Sequence, residues 1–344
     1  MIEINGQEGE GGGQVLRTSL ALSAITRQPI HLHNIRGGRG KPGLLRQHLT
    51  GLKAAAEICG AEVEGADLYS SEITFKPQAI KAGDYDFDIG SAGSVNLVFQ
   101  TVLPMCLIAE GSSRVRVRGG THNPASPNCD FLQRSFTHAL KRFGLTIDLE
   151  LIKHGFYPAG GGEAILNVTP ATLSPAHFNA LDQTGQLRLV CRYAQTSLDE
   201  MKSLADLVEV ELGETALPRE FTEVESSGPG WVMMAQIDSA PLPQVFTVFQ
   251  ERKRGLSETA QALASEVKRW RDAHVCVDEH LADQLLIPMA LARGGSFTTT
   301  QPSLHTLTNM EIIARFLPVS FNVEERGNDV VQISVVNDPS PSTL

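Results

Sequence analysis

Two hydrophobic periods alternate along this chain. Apolar residues fall at every second position in PIHLHNI (29–35), SRVRVRGG (113–120), LTIDLEL (145–151) and VVQISVV (330–336), the spacing of a strand with one buried face. They fall at i, i+3 and i+4 in QVLRTSLALSAI (14–25), LLRQHLTGLKAAAEICG (44–60), CDFLQRSFTHALKRFG (129–144) and LHTLTNMEIIARFLP (304–318), the spacing of an amphipathic helix.

In chain order these segments repeat. A unit of Gly-rich turn, apolar helix, strand, loop with basic residues, second helix, Gly and strands occurs from Gly9 to Pro77 and again from Asp88 to Pro170. The two copies hold register: Gly13 answers Gly93, Arg36 answers Arg118, and Gly60 and Gly144 stop the second helices as αL caps. A third copy runs EHLADQLLIPMALARGG, SFTTTQPS, LHTLTNMEIIARFLP, VSFNVEE, VVQISVV. Each reads as a βαβα unit followed by a hairpin, which predicts an α/β (α+β) fold in which three helix-backed sheets share one core. Residues 181–275 break the repeat with strand-like LRLVCRYAQ, the helix DEMKSLADLVEVEL, strand-like VMMAQID and QVFTVFQ, and the helix ETAQALASEVKRW. That pattern predicts a small α/β domain of residues 181–275 inserted into a large domain of 1–180 and 276–344. The tail NDPSPSTL is expected to be disordered.

Composition changes this picture in three ways. With 344 residues, 42% of them hydrophobic, the chain has material for about two domains. No apolar run approaches the roughly 20 residues that span a bilayer, and MIEINGQEGEGGG has neither a basic start nor an apolar signal core, so no membrane partner and a cytoplasmic location are expected. The five cysteines are scattered, odd in number and never spaced C-x-x-C, which points to buried free thiols rather than disulfides or zinc.

The formal net charge of −10 argues against a polyanionic partner until its distribution is considered. Between Glu10 and Glu57 there is no acid, yet Arg17, Arg27, Arg36, Arg39, Lys41, Arg46 and Lys53 lie there with His31, His33 and His48. A second acid-free stretch, Gly111 to Cys129, holds Arg114, Arg116, Arg118 and His122. Such segregation suits a local anion site on an acidic body.

The loops that lead into each second helix are RGGRGKPG (36–43), THNPASPN (121–128) and QPSLHT (301–306). Loops on a rigid scaffold are where binding and catalytic groups concentrate. If the units pack around a pseudo-threefold axis, Arg36, Arg39, His122 and His305 converge. GEGGGQ (9–14) opens a helix and reads either as an anion cradle or as a tight turn; it is neither a P-loop nor a dinucleotide fingerprint. Glu10 beside a phosphate site makes sense if it holds Mg²⁺ there. The paired arginines Arg36 and Arg39 suit phosphate oxygens. HGFYPAGGG (154–162) either brings backbone close to a ligand or only bends a strand. Asp283 and Gln284 read as a helix start, with Asp283 as its cap. His305 is a lone histidine, an ordinary structural group unless its imidazole attacks phosphorus.

GEGGGQVLR, RGGRGKPGLLRQHL, GSAGSVNLVFQTVLP, HGFYPAGGG, LADQLLIPMALA and QPSLHTLTN, in this order and spacing, resemble the RNA 3'-terminal phosphate cyclases of bacteria across almost the whole chain. The resemblance implies three βαβαββ units with a smaller inserted domain. It implies ATP and a divalent metal (Mg or Mn) as cofactors, and an RNA with a 3'-terminal phosphate as partner, and it allows a homodimer. By the same resemblance His305 takes AMP from ATP and passes it to the RNA 3'-phosphate, and the neighbouring 2'-hydroxyl then closes a 2',3'-cyclic phosphate. Glu10 is implied for the metal, Arg17, Arg36, Arg39 and His48 for phosphates, and Gln100 with His280, Leu281, Ala282, Asp283 and Gln284 for ATP. The sequence departs from the family pattern at His280, where a tyrosine could pack on adenine. Two other functions stay open: a non-catalytic ribosome-biogenesis relative, and an enolpyruvyl transferase built from similar units.

Overall fold

A computed structural model describes residues 1–251 and 253–337. The first unit runs β1 (Ile2–Asn5), α1 (Gly13–Thr26), β2 (Ile30–His33), α2 (Arg46–Cys59), β3 (Glu62–Glu64) and β4 (Ile73–Lys76). β1 and β2 pair in parallel because a helix crosses between them, whereas β3 and β4 close as an antiparallel hairpin, giving the order β1-β2-β4-β3. The second unit runs β5 (Asp84–Asp88), α3 (Val95–Leu107), β6 (Ser113–Gly119), α4 (Cys129–Phe131), a π turn at Leu132–Phe136, α5 (Thr137–Arg142), β7 (Thr146–Lys153) and β8 (Gly162–Thr169). Its order is β5-β6-β8-β7, again one parallel pair and a closing hairpin.

The third unit opens with β9 (His177–Phe178), and the chain then departs through β10 (Leu187–Ala194), α6 (Leu198–Leu212), β11 (Arg219–Glu223), β12 (Gly230–Ile237), β13 (Gln244–Phe249) and α7 (Leu256–Ala273). It returns as α8 (Glu279–Leu291), β14 (Ser296–Thr300), α9 (Leu304–Ala314), β15 (Val319–Gly327) and β16 (Val330–Asn337). β9 pairs in parallel with β14, and the sheet order β9-β14-β16-β15 matches the other two. The interrupting segment forms its own sheet, β11-β10-β12-β13.

One hydrophobic core joins the three repeated sheets, with Ile4, Phe75, Val117, Leu166, Phe178 and Phe297 fully or almost fully buried in it. A second cluster, with Leu204, Trp231, Met233, Phe246 and Trp270, draws all its fully buried members from 187–275. Helix α2 ends on Gly60 at φ 62°, and Gly144 follows α5 at φ 86°, both left-handed as their cap role requires. The five cysteines are buried and unpaired. No helix among the described residues is long and apolar enough to cross a membrane.

In the second acid-free stretch, two of the three arginines meet acids across the sheet. The arginines alternate along β6, and acids of the flanking strands meet two of them: Arg116 pairs with Glu163 of β8 at 2.9 Å, and Arg118 with Asp86 of β5 at 2.7 Å. Sheet pairing supplies the counter-charges that the local sequence lacks. In the basic turn after β13, Arg254 pairs with Glu251 at 3.2 Å. Arg252 and the tail beyond Asn337 lie outside the described residues.

Candidate active site

Parallel pairing of β1 with β2 sends the segments after both strands out of the same end of the first sheet. There the glycine loops touch: Gly38 N–H donates to Gly11 O at 3.0 Å, and a Cβ on Gly11, which has φ 58°, would stand 3.0 Å from Gly38 Cα. Side chains at these positions would separate the loops. Their contact brings Arg39 onto Glu10, where the guanidinium donates to Oε2. Oε1 of Glu10 accepts the Gln14 N–H of α1 at 2.9 Å, in place of the cap that Gly12 lacks. Burial alone would raise the Glu10 carboxyl; the Gln14 N–H and Arg39 outweigh it, so its pKa falls below the usual value.

The third unit completes this centre. Ser303 caps α9, accepting Thr306 N–H at 3.2 Å, so His305 stands in the first turn of a helix rather than in the loop that its Ser- and Thr-rich surroundings suggest. Its half-exposed ring turns Nδ1 to 3.9 Å from Glu10 Oε2. Burial first, and then Arg17 and Arg39 against the pull of Glu10, lower the His305 pKa, and the positive end of α9 acts in the same direction. This lowering favours the neutral imidazole, whose lone pair is then available.

Arg17 and His48 face a cleft between α1, α2 and α3 that Gln47, Leu97 and Thr101 also line. Arg17 donates to Gln14 Oε1 at 2.5 Å, and its buried Nε has no partner among the described residues. Burial brings Arg17 down to about 10, still a cation at neutral pH. Burial, then the charges of Arg36 and Arg17, bring His48 down to about 3, so His48 can offer a neutral N–H or lone pair but no charge. Arg36 is left-handed at φ 55° and folds Nη1 back onto the carbonyls of Lys41 (2.6 Å) and Gly43 (3.0 Å), bracing its own loop. Gln100 is half-buried on α3; Leu97 and Thr101 beside it reach the cleft.

At the start of α8 the cap is Asp278, whose Oδ1 accepts from His280 N at 2.8 Å and Leu281 N at 3.1 Å. Asp283, expected as the cap, lies a turn further in, where burial raises it to about 7 against Arg17 and His280. Leu281 and Ala282 are buried, and Gln284 Nε2 donates to His280 O at 2.7 Å. The His280 ring is exposed; burial opposes its charge, yet Asp278, Glu266, Glu279 and Asp283 together raise its pKa.

His122 does not join the centre. It is buried in the second unit with Nδ1 2.8 Å from Thr121 Oγ1 and Nε2 2.8 Å from Asp130 Oδ2, and its ring stacks on His154. Gly155 N–H donates to Thr121 Oγ1 at 2.9 Å, so the hydroxyl proton is free for Nδ1 and the Nε2–H for Asp130. This closed relay ties THNPASPN to HGFYPAGGG and gives both motifs a structural role.

The sequence reading missed the polar groups that bind the units together. Thr308 Oγ1 accepts the Glu10 N–H at 3.0 Å. Buried Asn309 accepts from Thr18 Oγ1 at 2.6 Å and donates to Asp283 O at 2.9 Å, linking α9, α1 and α8. Their signal was present: Thr306, Thr308 and Asn309 are polar, buried positions in an apolar helix. From the interrupting segment, α7 places Glu266, Arg269 and Trp270 against Asp278, Glu279 and His280.

Repeated βαβαββ sheets, with Arg17, Arg39 and His305 gathered where the first and third units meet, put this chain in the class of α/β proteins with a cationic, histidine-bearing cleft. The family model described as RNA 3'-terminal phosphate cyclase matches residues 8–323. RNA 3'-terminal phosphate cyclases of Salmonella paratyphi C and Salmonella agona are each 44% identical to the chain, covering 99% of it and 99% of their own length. The chain belongs to the RNA 3'-terminal phosphate cyclase family and, like the relatives of that name, is an ATP-dependent enzyme. The enolpyruvyl transferase NikO from Streptomyces tendae overlays 97% of the chain at 13% identity with a TM-score of 0.38, covering 48% of its own length; the likeness is too slight to carry an argument.

Proposed function

We propose that the chain closes a 2',3'-cyclic phosphate on RNA by way of a histidine-bound AMP. The observation behind this is the geometry of His305: a neutral, half-exposed imidazole with Nδ1 turned toward buried Glu10, which leaves Nε2 free as a nucleophile. Nε2 bonds to the α-phosphorus of ATP as the bond to pyrophosphate breaks, and Glu10 offsets the positive charge the ring acquires. An RNA 3'-phosphate oxygen then takes AMP from Nε2, and the adjacent 2'-hydroxyl attacks that activated phosphorus and expels AMP. Arg17 and Arg39 offset phosphoryl charge, and His48 donates a neutral hydrogen bond. The exposed His280 ring, with Gln100 and the start of α8, is assigned to the nucleoside of ATP.

No group of three His, Cys, Asp or Glu among the described residues forms a metal cage. A lone carboxylate does suit an ion that arrives on the phosphates of ATP, so Glu10 would hold Mg²⁺ or Mn²⁺, which supplies charge neutralisation. Residues 181–275 are assigned as an inserted domain, on the strength of their separate sheet and hydrophobic cluster. The reading carries a cytoplasmic location with it.

Incubation with α-labelled ATP tests the chemistry. The wild type should acquire label that survives alkali and is lost in mild acid, as a P–N bond requires. His305→Ala should acquire none and cyclise no 3'-phosphorylated RNA, while still closing some RNA already activated with AMP. Label retained by that variant would refute the assignment of His305.

A further inference from the structure

The hairpin turn between β3 and β4 opens at the same end of the first sheet as the two glycine loops, because antiparallel β4 begins where β2 ends, Ile73 opposite Leu32. At its tip Tyr69 is 70% exposed, and its side chain makes no hydrogen bond or ring contact among the described residues. Its backbone is left-handed at φ 68°, a conformation that costs a bulky side chain free energy. Nothing about the position is loose. Tyr69 N–H donates to Leu44 O at 2.7 Å, Leu44 N–H to Ser70 O at 3.0 Å, and Ile35 N–H to Ser71 O at 2.9 Å. These bonds fasten the turn to the neck of the loop that carries Arg36, Arg39 and Lys41, since Gly43 N–H closes that neck on Ile35 O at 2.7 Å.

A ring presented to solvent on a rigid backbone has only its two side-chain torsions left to order, which suits it to stack on another flat face. Asp67 and Glu72 on the same turn are exposed and repel phosphate, so what meets Tyr69 is a base and not the backbone of a nucleic acid. Exposed Arg39 and Lys41 of the adjoining loop place positive charge at the same end of the sheet. Exposed aromatic rings beside basic grooves are how proteins hold single-stranded nucleic acid without reading its sequence.

We propose that Tyr69 is a stacking platform for a nucleobase of single-stranded RNA a short distance upstream of the 3'-terminal phosphate. This rests on the RNA-cyclising function proposed above. It adds a contact that positions the strand and is indifferent to which base occupies it.

The experiment uses 3'-phosphorylated single-stranded RNAs with 2-aminopurine at each of the last few nucleotides in turn. Tyr69→Gly removes the ring and relieves the left-handed backbone, so thermal stability should hold or rise while KM for RNA increases roughly five- to a hundredfold, the loss expected for one stacked base. The rate at saturating RNA and self-adenylylation with ATP alone should not change. Quenching of 2-aminopurine at one position should vanish in Tyr69→Gly and persist in Tyr69→Trp. An unchanged KM for Tyr69→Gly, or an equal rise for Tyr69→Trp, overturns the platform. So does an unchanged KM with an altered sedimentation coefficient, which would give this face to a second copy of the chain. If the wild type takes no label from ATP, the proposed chemistry fails, and the 2-aminopurine signal still decides the stacking contact by itself.

Discussion

Arg39→Ala separates the structural work of the arginine loop from its work on phosphate. The side chain of Glu10 is 3% exposed and that of Arg39 46%, so the substitution leaves a nearly buried carboxylate with only the Gln14 N–H and the more distant His305. A hydrogen bond to a charged group contributes about 1.5–3 kcal/mol, and screening at the half-exposed guanidinium reduces this to about 1 kcal/mol of stability. In the proposed adenylylation the same guanidinium faces phosphoryl charge rather than water. Its loss there should cost the fuller figure of about 1.5–3 kcal/mol, or roughly a ten- to hundredfold fall in kcat/KM. Urea melts measure the first effect, and single-turnover labelling from α-labelled ATP at subsaturating nucleotide measures the second. The pH dependence of the two proteins adds a check. Glu10 titrates below its free value in the wild type, so its stabilising contribution is present at neutral pH and lost on acidification; Arg39→Ala should show a smaller acid loss. Labelling and RNA cyclisation at the wild-type rate, with stability alone reduced, would show that Arg39 only braces Glu10.

Two further substitutions probe the cleft. Ala for Gly near a helix start ordinarily stabilises by up to about 1 kcal/mol, but a Cβ on Gly13 would stand 2.7 Å from Arg17 Nη1 and 2.8 Å from His48 Nε2. Gly13→Ala should instead destabilise by about 1–3 kcal/mol in urea melts and slow labelling; a gain in stability would show that the cleft is slack. His48 falls from 6.5 to about 3 on folding, so the unfolded chain binds its proton first and stability drops as pH falls through that window. Between pH 7 and pH 4.5 the wild type should lose about 2.5 kcal/mol more stability than His48→Gln, and identical acid profiles would mean that His48 is solvated.

The repeat was legible in the chain because each unit carries the two hydrophobic periods and a glycine stop, and these are local properties. The strand that opens the third unit was not: at two residues, His177–Phe178, it is too short to show a period, and it counts as a strand only because β14 lies beside it. Glu10, Arg39 and His305 announced themselves as candidates by residue type and motif. Their meeting did not follow from sequence, since Glu10 and His305 are 295 positions apart and come together only where α1 packs on α9. The sequence also suggested groups that the fold employs elsewhere. Arg114, Arg116, Arg118 and His122 looked free because their own stretch holds no acid, but Glu163 and Asp86 reach two of the arginines across strand pairs and Asp130 reaches the histidine. Backbone propensity and hydrophobic period act over a few residues and can be read in one dimension, whereas a charge is satisfied through space. Which cation is left over to meet a ligand is therefore decided by the tertiary structure alone.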